Sequence, residues 1–191
     1  MAWSDVEIDE LSAAAIRARR GAFHDLLADA IASNASVGYV WPLDLAQVGQ
    51  AWDGWIADVE RGERIVLAAL RDGDIAGCVH LAPCPKPNQP HRGDVQKLLV
   101  HRRFRGQGVG RALMRAVEAR ALAMGRTLLL LDTRTASAAE ALYRSEGWTA
   151  FGVVPGFALD PDGTPADCTF FWKRLDARTP APPGPSRGAG R

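Results

Sequence analysis

Apolar residues return at Leu11, Ile16, Phe23, Leu26, Leu27 and Ile31, an approximately helical spacing that predicts one long helix over 9–32, after a short first strand from Trp3 to Ile8. The pattern then breaks in SNASVGYVWPL, where Gly38 and Pro42 interrupt regular structure and Tyr39 and Trp41 sit on a loop suited to touching a ligand. Asp44 is a natural N-cap for a second helix, whose apolar stripe is Val48, Trp52, Trp55, Ile56 and Val59 and whose end is marked by Gly62. Two strand-like runs, RIVLAALR and DIAGCVHLAPC, flank Asp72-Gly73, the dipeptide that supplies positive φ in a tight hairpin. A proline-rich link leads to a strand over 94–101. A third helix follows, with Val109, Leu113, Val117, Ala121 and Met124 on one face and Gly125 as its stop.

The continuous apolar run RTLLLLDT predicts a strand over 127–133, buried on both faces in the centre of a sheet. Ser137 and Glu140 form an S-x-x-E capping box that opens a fourth helix holding Leu142 and Tyr143 and closing at Gly147. Two more strands surround the turn DPDGTPAD, and from Asp176 onward the chain has almost nothing to bury, which predicts a disordered tail over 176–191. The domain is thus expected to be residues 1–175, without internal repeats.

Composition narrows the function classes. The 191 residues carry 23 basic and 22 acidic side chains, so no global field draws the chain to nucleic acid or anionic lipid, and an anion site must be local. Three cysteines without C-x-x-C spacing favour neither a disulfide framework nor a zinc site and fit a reducing cytoplasm. An acidic start and the lack of any membrane-length apolar run predict a soluble, cytoplasmic protein.

The candidate chemistry lies in LLVHRRFRGQGVGRALM, residues 98–114, where a strand passes through a basic, glycine-rich turn into a helix. That order wraps backbone N–H groups around phosphate. A nucleotide P-loop would need Lys-Ser or Lys-Thr after the last glycine, which is absent, and a dinucleotide fingerprint would need glycine where Leu113 stands. What remains is Arg105-x-x-Gly108-x-Gly110 directly after a strand, with Gly106, Gly108 and Gly110 allowing close approach to a diphosphate.

This arrangement resembles the acetyl-coenzyme A signature of the GCN5-related N-acetyltransferases (GNAT). The order of hairpin, apolar strand and tyrosine-bearing helix is similar too. KPNQPHRGDVQKLLV, LLLLDT, AEALYRSEGW and VPGFALDPDG look like the branch represented by tabtoxin resistance protein. The resemblance implies an α/β fold with a mixed, largely antiparallel sheet that splays between two parallel strands, flanked by about four helices. It implies acetyl-CoA as co-substrate, its pantetheine arm beside the backbone of Leu98, Leu99 and Val100 and its diphosphate on Arg105, Gly106, Gln107, Gly108, Val109, Gly110 and Arg111. Ala136 replaces an asparagine that touches the cofactor in many relatives, so any such contact moves to Ser137 or is absent. It also implies a small-molecule amine as partner, no nucleic acid, membrane or metal, and a homodimer as an assembly open to the family.

Amide formation needs a neutral amine, a stabiliser for the oxyanion and a proton for the departing thiolate. A backbone N–H near Leu98 or Leu99 suits the oxyanion, and Tyr143 lies where the family places its general acid. Asp132 and Asp94, at the ends of the two central strands, are candidates for the base or for binding the acceptor's ammonium group. His80 and His101 are weaker candidates, and a water chain is an alternative. Segments 35–43 and 155–163 are expected to border the acceptor pocket, with Tyr39, Trp41 and Phe157 as walls. A near-neutral chain favours a small amino-acid-like metabolite or antibiotic over a protein lysine or N-terminus, and the alternative from another class is a non-catalytic acyl-CoA sensor.

Overall fold

A computed structural model describes residues 6–175; Trp3 and the expected tail 176–191 lie outside the described residues. Asp72 and Gly73 both take positive φ, 53° and 84°, and fold β2 (Ile65–Arg71) back onto β3 (Asp74–Pro83). β1 (Glu7–Glu10) joins the free edge of β2, and β4 (Arg92–Val100) pairs antiparallel with β3. β5 (Leu128–Arg134) lies parallel to β4, and β6 (Thr149–Leu159) and β7 (Pro165–Arg174) complete a seven-stranded sheet in the order β1-β2-β3-β4-β5-β7-β6. Among the described residues the β4–β5 pair is the only parallel one.

Alternation along the strands divides the core between the two faces of this sheet. Ile65, Leu67 and Ala69 pack with Leu113, Met114 and Val117 of α4 (Val109–Ala123) and with Tyr143 of α5 (Ala138–Ser145). Val66, Ala68 and Leu70 pack with α1 (Ala13–Ala18), α2 (Arg20–Ala32) and α3 (Leu45–Glu60). The caps read from the sequence form: Asp44 accepts from Ala46 N at 2.8 Å, and Ser137 accepts from Glu140 N at 3.1 Å.

Three local readings change. The long first helix is two helices, broken at Arg19 (φ −108°, ψ 18°). The reason is tertiary: Arg20 donates to Gly49 O and Asp53 of α3, both at 3.0 Å, and Phe23 stacks 4.7 Å from Trp52. The first strand lies at Glu7–Glu10, two residues past its predicted end. β5 is buried on one face only. Leu129 and Leu131 enter the α4 core, whereas Leu130 is half-buried and Asp132 exposed, because the other face borders an opening in the sheet.

That opening follows from register. β4 and β5 pair at Arg92–Leu128, Gly93–Leu129 and Asp94–Leu130 and then separate. A bulge in β4 widens the gap. Cys78 faces Leu99 but His80 faces Gln96, so β4 carries one extra residue, and Lys97 takes φ 53° to accommodate it. Gly77 lets β4 lie this close to β3: a Cβ there would stand 2.5 Å from Leu99 O.

Candidate active site

The separated ends of β4 and β5 enclose a cavity of about 1020 Å³, walled by Val95 to Val100 on one side and Asp132 to Arg134 on the other. One end reaches the loop into α4; the other reaches loop 33–38 and Phe157–Ala158. Leu98, Leu99 and Val100 line it, and beyond Asp94 their backbone has no strand on its β5 side.

At the loop end stand Arg105, Gly106, Gly108, Val109, Gly110 and Arg111, together with Ser137. Gly108 takes φ 81° as the N-cap of α4, and no side chain caps that helix end, so its first-turn N–H groups are offered to the cavity with the positive end of the helix dipole. Gly110 is tightly packed, with Leu142 Cδ2 3.2 Å from where its Cβ would lie. This backbone cradle fits a diphosphate. Gln107 does not line the cavity; its side chain donates to Arg103 O at 2.8 Å and accepts from Arg71.

The arginines of this basic turn are largely tied to carboxylates. Asp29 of α2, only 9% exposed, accepts from Arg102 N at 2.9 Å, from the Arg102 guanidinium and from Arg105 Nη2 at 3.0 Å. Arg105 also donates to Val100 O at 2.8 Å, and Arg111 pairs with Glu146 at 2.5 Å. Burial pushes the Asp29 carboxyl up, but the hydrogen bonds from Arg102 and the charge of His101 outweigh it and leave it below its ordinary range. Asp29 therefore fastens the start of the loop, a role the sequence reading missed.

In the middle of the cavity wall Tyr143 reaches in from α5, backed by Trp148 and Phe171 at 6.1 and 5.9 Å between ring centres. It is a core residue and a cavity residue at once. Burial and the nearby Asp132 push its phenol well above the usual value, so it keeps its proton. Asp132 lines the cavity from β5. Its side chain is open to the cavity, yet the surrounding walls shield its carboxyl from bulk water enough to raise it; Lys97 opposes that, and Asp94 adds to it.

Asp94 sits on the same face of the sheet at the last β4–β5 pair but is not on the cavity wall; it pairs with Arg92 at 3.3 Å, and burial raises its carboxyl. Neither histidine lies in the cavity wall. His80 is fully buried between Trp52 and Trp55 and held neutral by burial, while His101 accepts from Arg103 N at 3.2 Å.

The two segments expected to border the acceptor meet: Trp41 N donates to Pro161 O at 2.7 Å and Ser36 Oγ to Leu159 O at 3.4 Å. Phe157 lines the cavity, edge-on to Phe170 at 4.9 Å. Tyr39 and Trp41 are not on its lining. Tyr39 faces Lys97 Nζ at 5.9 Å, and Trp41 is 52% exposed. Lys97, which does line the cavity, had no role in the sequence reading. Its signal was there: Val95 and Leu98 are both on the α4 face although three apart, which breaks the two-residue period and marks the bulge. Among the described residues no group of three or more His, Cys, Asp or Glu is placed to hold a metal, and no helix is long and apolar enough to cross a membrane.

Comparison with known proteins agrees with this geometry. A model described as the acetyltransferase (GNAT) family matches residues 24–148. The chain is 33% identical over 96 residues to an IAA acetyltransferase of Azospirillum brasilense, covering 50% of this chain and 61% of that protein. It is 38% identical over 101 residues to a mycothiol acetyltransferase of Streptosporangium roseum, covering 47% of this chain and 28% of that protein. The matches thus span less than two thirds of either relative. Among solved structures, yncA of Salmonella typhimurium with its cofactor acetyl-CoA superposes with a TM-score of 0.73 at 19% identity, covering 94% of this chain and 99% of that one; at that identity the likeness is one of fold. The family match runs from α2 to the turn after α5 and so contains both strands of the opening and the loop into α4; the chain belongs to the GCN5-related N-acetyltransferase (GNAT) family.

Proposed function

We propose that the protein transfers an acetyl group from acetyl-CoA to the amine of a small, amino-acid-like acceptor, by direct attack with both bound together. The observation that carries this reading is the parting of β4 and β5 after three paired residues, which joins an uncapped helix N-terminus to a pocket holding Tyr143 and Asp132. Bound acetyl-CoA supplies an activated thioester. The chain supplies the rest. Gly106 and Gly108 to Arg111 hold the diphosphate, the backbone of Leu98 to Val100 aligns the arm as an added strand would, and a backbone N–H there faces the developing oxyanion. Asp132, with its proton affinity raised, accepts a proton from the amine, and Asp94 lends it negative charge. Tyr143 Oη gives a proton to the departing sulfur.

The sequence's likeness to the tabtoxin resistance branch supports a small acceptor, in the role of a detoxifying or resistance enzyme acting in the cytoplasm. We assign the catalytic unit to residues 1–175. The test is acetyl-CoA-dependent release of free thiol over a panel of amino acids, antibiotic amines and short peptides, run beside Tyr143→Phe. Release that requires a small amine and falls in the variant while acetyl-CoA binding holds supports the reading. Tight acetyl-CoA binding with no acceptor-dependent release on any amine contradicts it and favours a sensor.

A further inference from the structure

Lys97 occupies the bulge at the point where β4 leaves β5, and its side chain lies on the α3 side of the sheet. Its Nζ donates to Val37 O at 2.7 Å and stands 5.4 and 5.9 Å from the ring centres of Trp55 and Tyr39. Among the described residues no carboxylate lies within ion-pair distance of it. Other basic groups near the cavity, Arg105, Arg111 and Arg134, each hold a carboxylate. An ammonium has three donors; among the described residues Val37 O takes one of them, beside a cavity that Lys97 lines.

The rings and the backbone carbonyl hold the cation in place but do not neutralise it, and burial together with Arg64 lowers its hold on its proton. An anion entering the cavity would supply the missing partner. Across the cavity stands Asp132, of opposite sign and close enough for its charge and that of Lys97 to act on one another. The pocket is therefore dipolar, with negative charge where the amine reacts and positive charge at Lys97.

We propose that Lys97 is the anchor for a carboxylate of the acceptor, so that the acceptor is an amino acid whose carboxylate lies a few bonds from the acetylated amine. This rests on the acetyltransferase reading above. An amine bearing a carboxylate satisfies both ends of the dipole, whereas the corresponding amide leaves the ammonium without an anion. Lys97 is a specificity-determining residue here and takes no part in the proton transfers.

The test pairs each of the twenty L-amino acids with its primary amide and adds amines without a carboxylate: tyramine, spermidine and phenethylamine. Calorimetric binding to the coenzyme A-loaded protein is read alongside acetyl transfer, for the wild type, Lys97→Met and Lys97→Arg. The expected result is an amino acid preferred over its amide by about tenfold to a hundredfold, the range of a charge-assisted hydrogen bond. Lys97→Met should close that gap to within about twofold by weakening the acid alone, and Lys97→Arg, which keeps the charge, should retain part of the preference. Amides equal to acids in the wild type, or a Lys97→Met loss equal on both, overturns the anchor. So does failure of every amino acid to bind the wild type.

Transfer to tyramine, spermidine or phenethylamine in those cases leaves the acetyltransferase reading standing. Conversely, carboxylate-dependent binding that Lys97→Met abolishes, without transfer to any amine, upholds the anchor and sinks that reading. Thermal melting of both variants separates misfolding from loss of the subsite.

Discussion

Asp29 offers a perturbation whose size follows from the contacts around it. Asp29→Ala removes the acceptor of Arg102 N, of the Arg102 guanidinium and of Arg105 Nη2. The two guanidinium side chains are 55% and 41% exposed, so water screens their pairs to about 1 kcal/mol or less each. The Arg102 N–H loses its partner at a cost of about 1–3 kcal/mol. The middle of these ranges sums to about 3 kcal/mol, or roughly 6–12 °C in Tm for a domain of this size. Asp29→Asn keeps one oxygen for the backbone donor and should cost about half as much.

The freed segment leads directly into Gly106–Gly110, so acetyl-CoA affinity should fall by about fivefold or more in Asp29→Ala as binding must then order the loop. The pH dependence has a definite sign. The folded-state carboxyl lies below its unfolded value, so the wild type's extra stability is complete above the unfolded pKa of about 3.9 and is lost as pH falls through the folded one. Urea unfolding and calorimetric titration with acetyl-CoA measure both effects. An Asp29→Ala protein with unchanged Tm and unchanged acetyl-CoA affinity would refute this account of the loop.

Other outcomes follow from the same geometry. Tyr143→Phe should lower kcat by about a hundredfold or more while leaving acetyl-CoA binding intact, as expected for a proton donor rather than a binding group; steady-state kinetics with calorimetry separates the two. With Asp132 as base, kcat/KM should rise with pH through a carboxyl pKa above its ordinary value, and Asp94→Asn, by removing a negative neighbour, should move that limb to lower pH. Glu118, 4% exposed, accepts from Trp148 Nε1 at 2.9 Å and Lys173 Nζ at 2.7 Å. Glu118→Leu should therefore cost about 3–5 kcal/mol in urea unfolding, part of which Lys173→Met added to it recovers.

How much of this was legible depended on whether the determinant was local. Asp44, Ser137, Asp72-Gly73 and Gly125 act on their own few residues of backbone, and each does in the structure what its chemistry implies. The glycine-rich turn was equally plain, because Gly108 at φ 81° is a property of that one residue. The break at Arg19 was not legible: Gly21, two residues on, is itself helical, and the cause lies on α3 at Gly49 and Asp53. The pairing of Asp29 with Arg102 and Arg105 spans more than seventy residues, so a sequence pattern shows only an acidic residue beside an apolar stripe. Asp94 and Asp132, read as the first residue of one strand and the end of the other, each lie two residues inside their strands, and that only Asp132 lines the cavity depends on where β4 and β5 part.

The proposed function puts acetyl-CoA between β4 and β5 with its diphosphate on the turn into α4. Hydrogen–deuterium exchange with and without acetyl-CoA tests it most directly. Binding there should slow exchange at the amides of Leu98 to Val100 and Gly106 to Arg111, with smaller change in β1 and β2. Protection confined to other segments, or none at saturating acetyl-CoA, would contradict it.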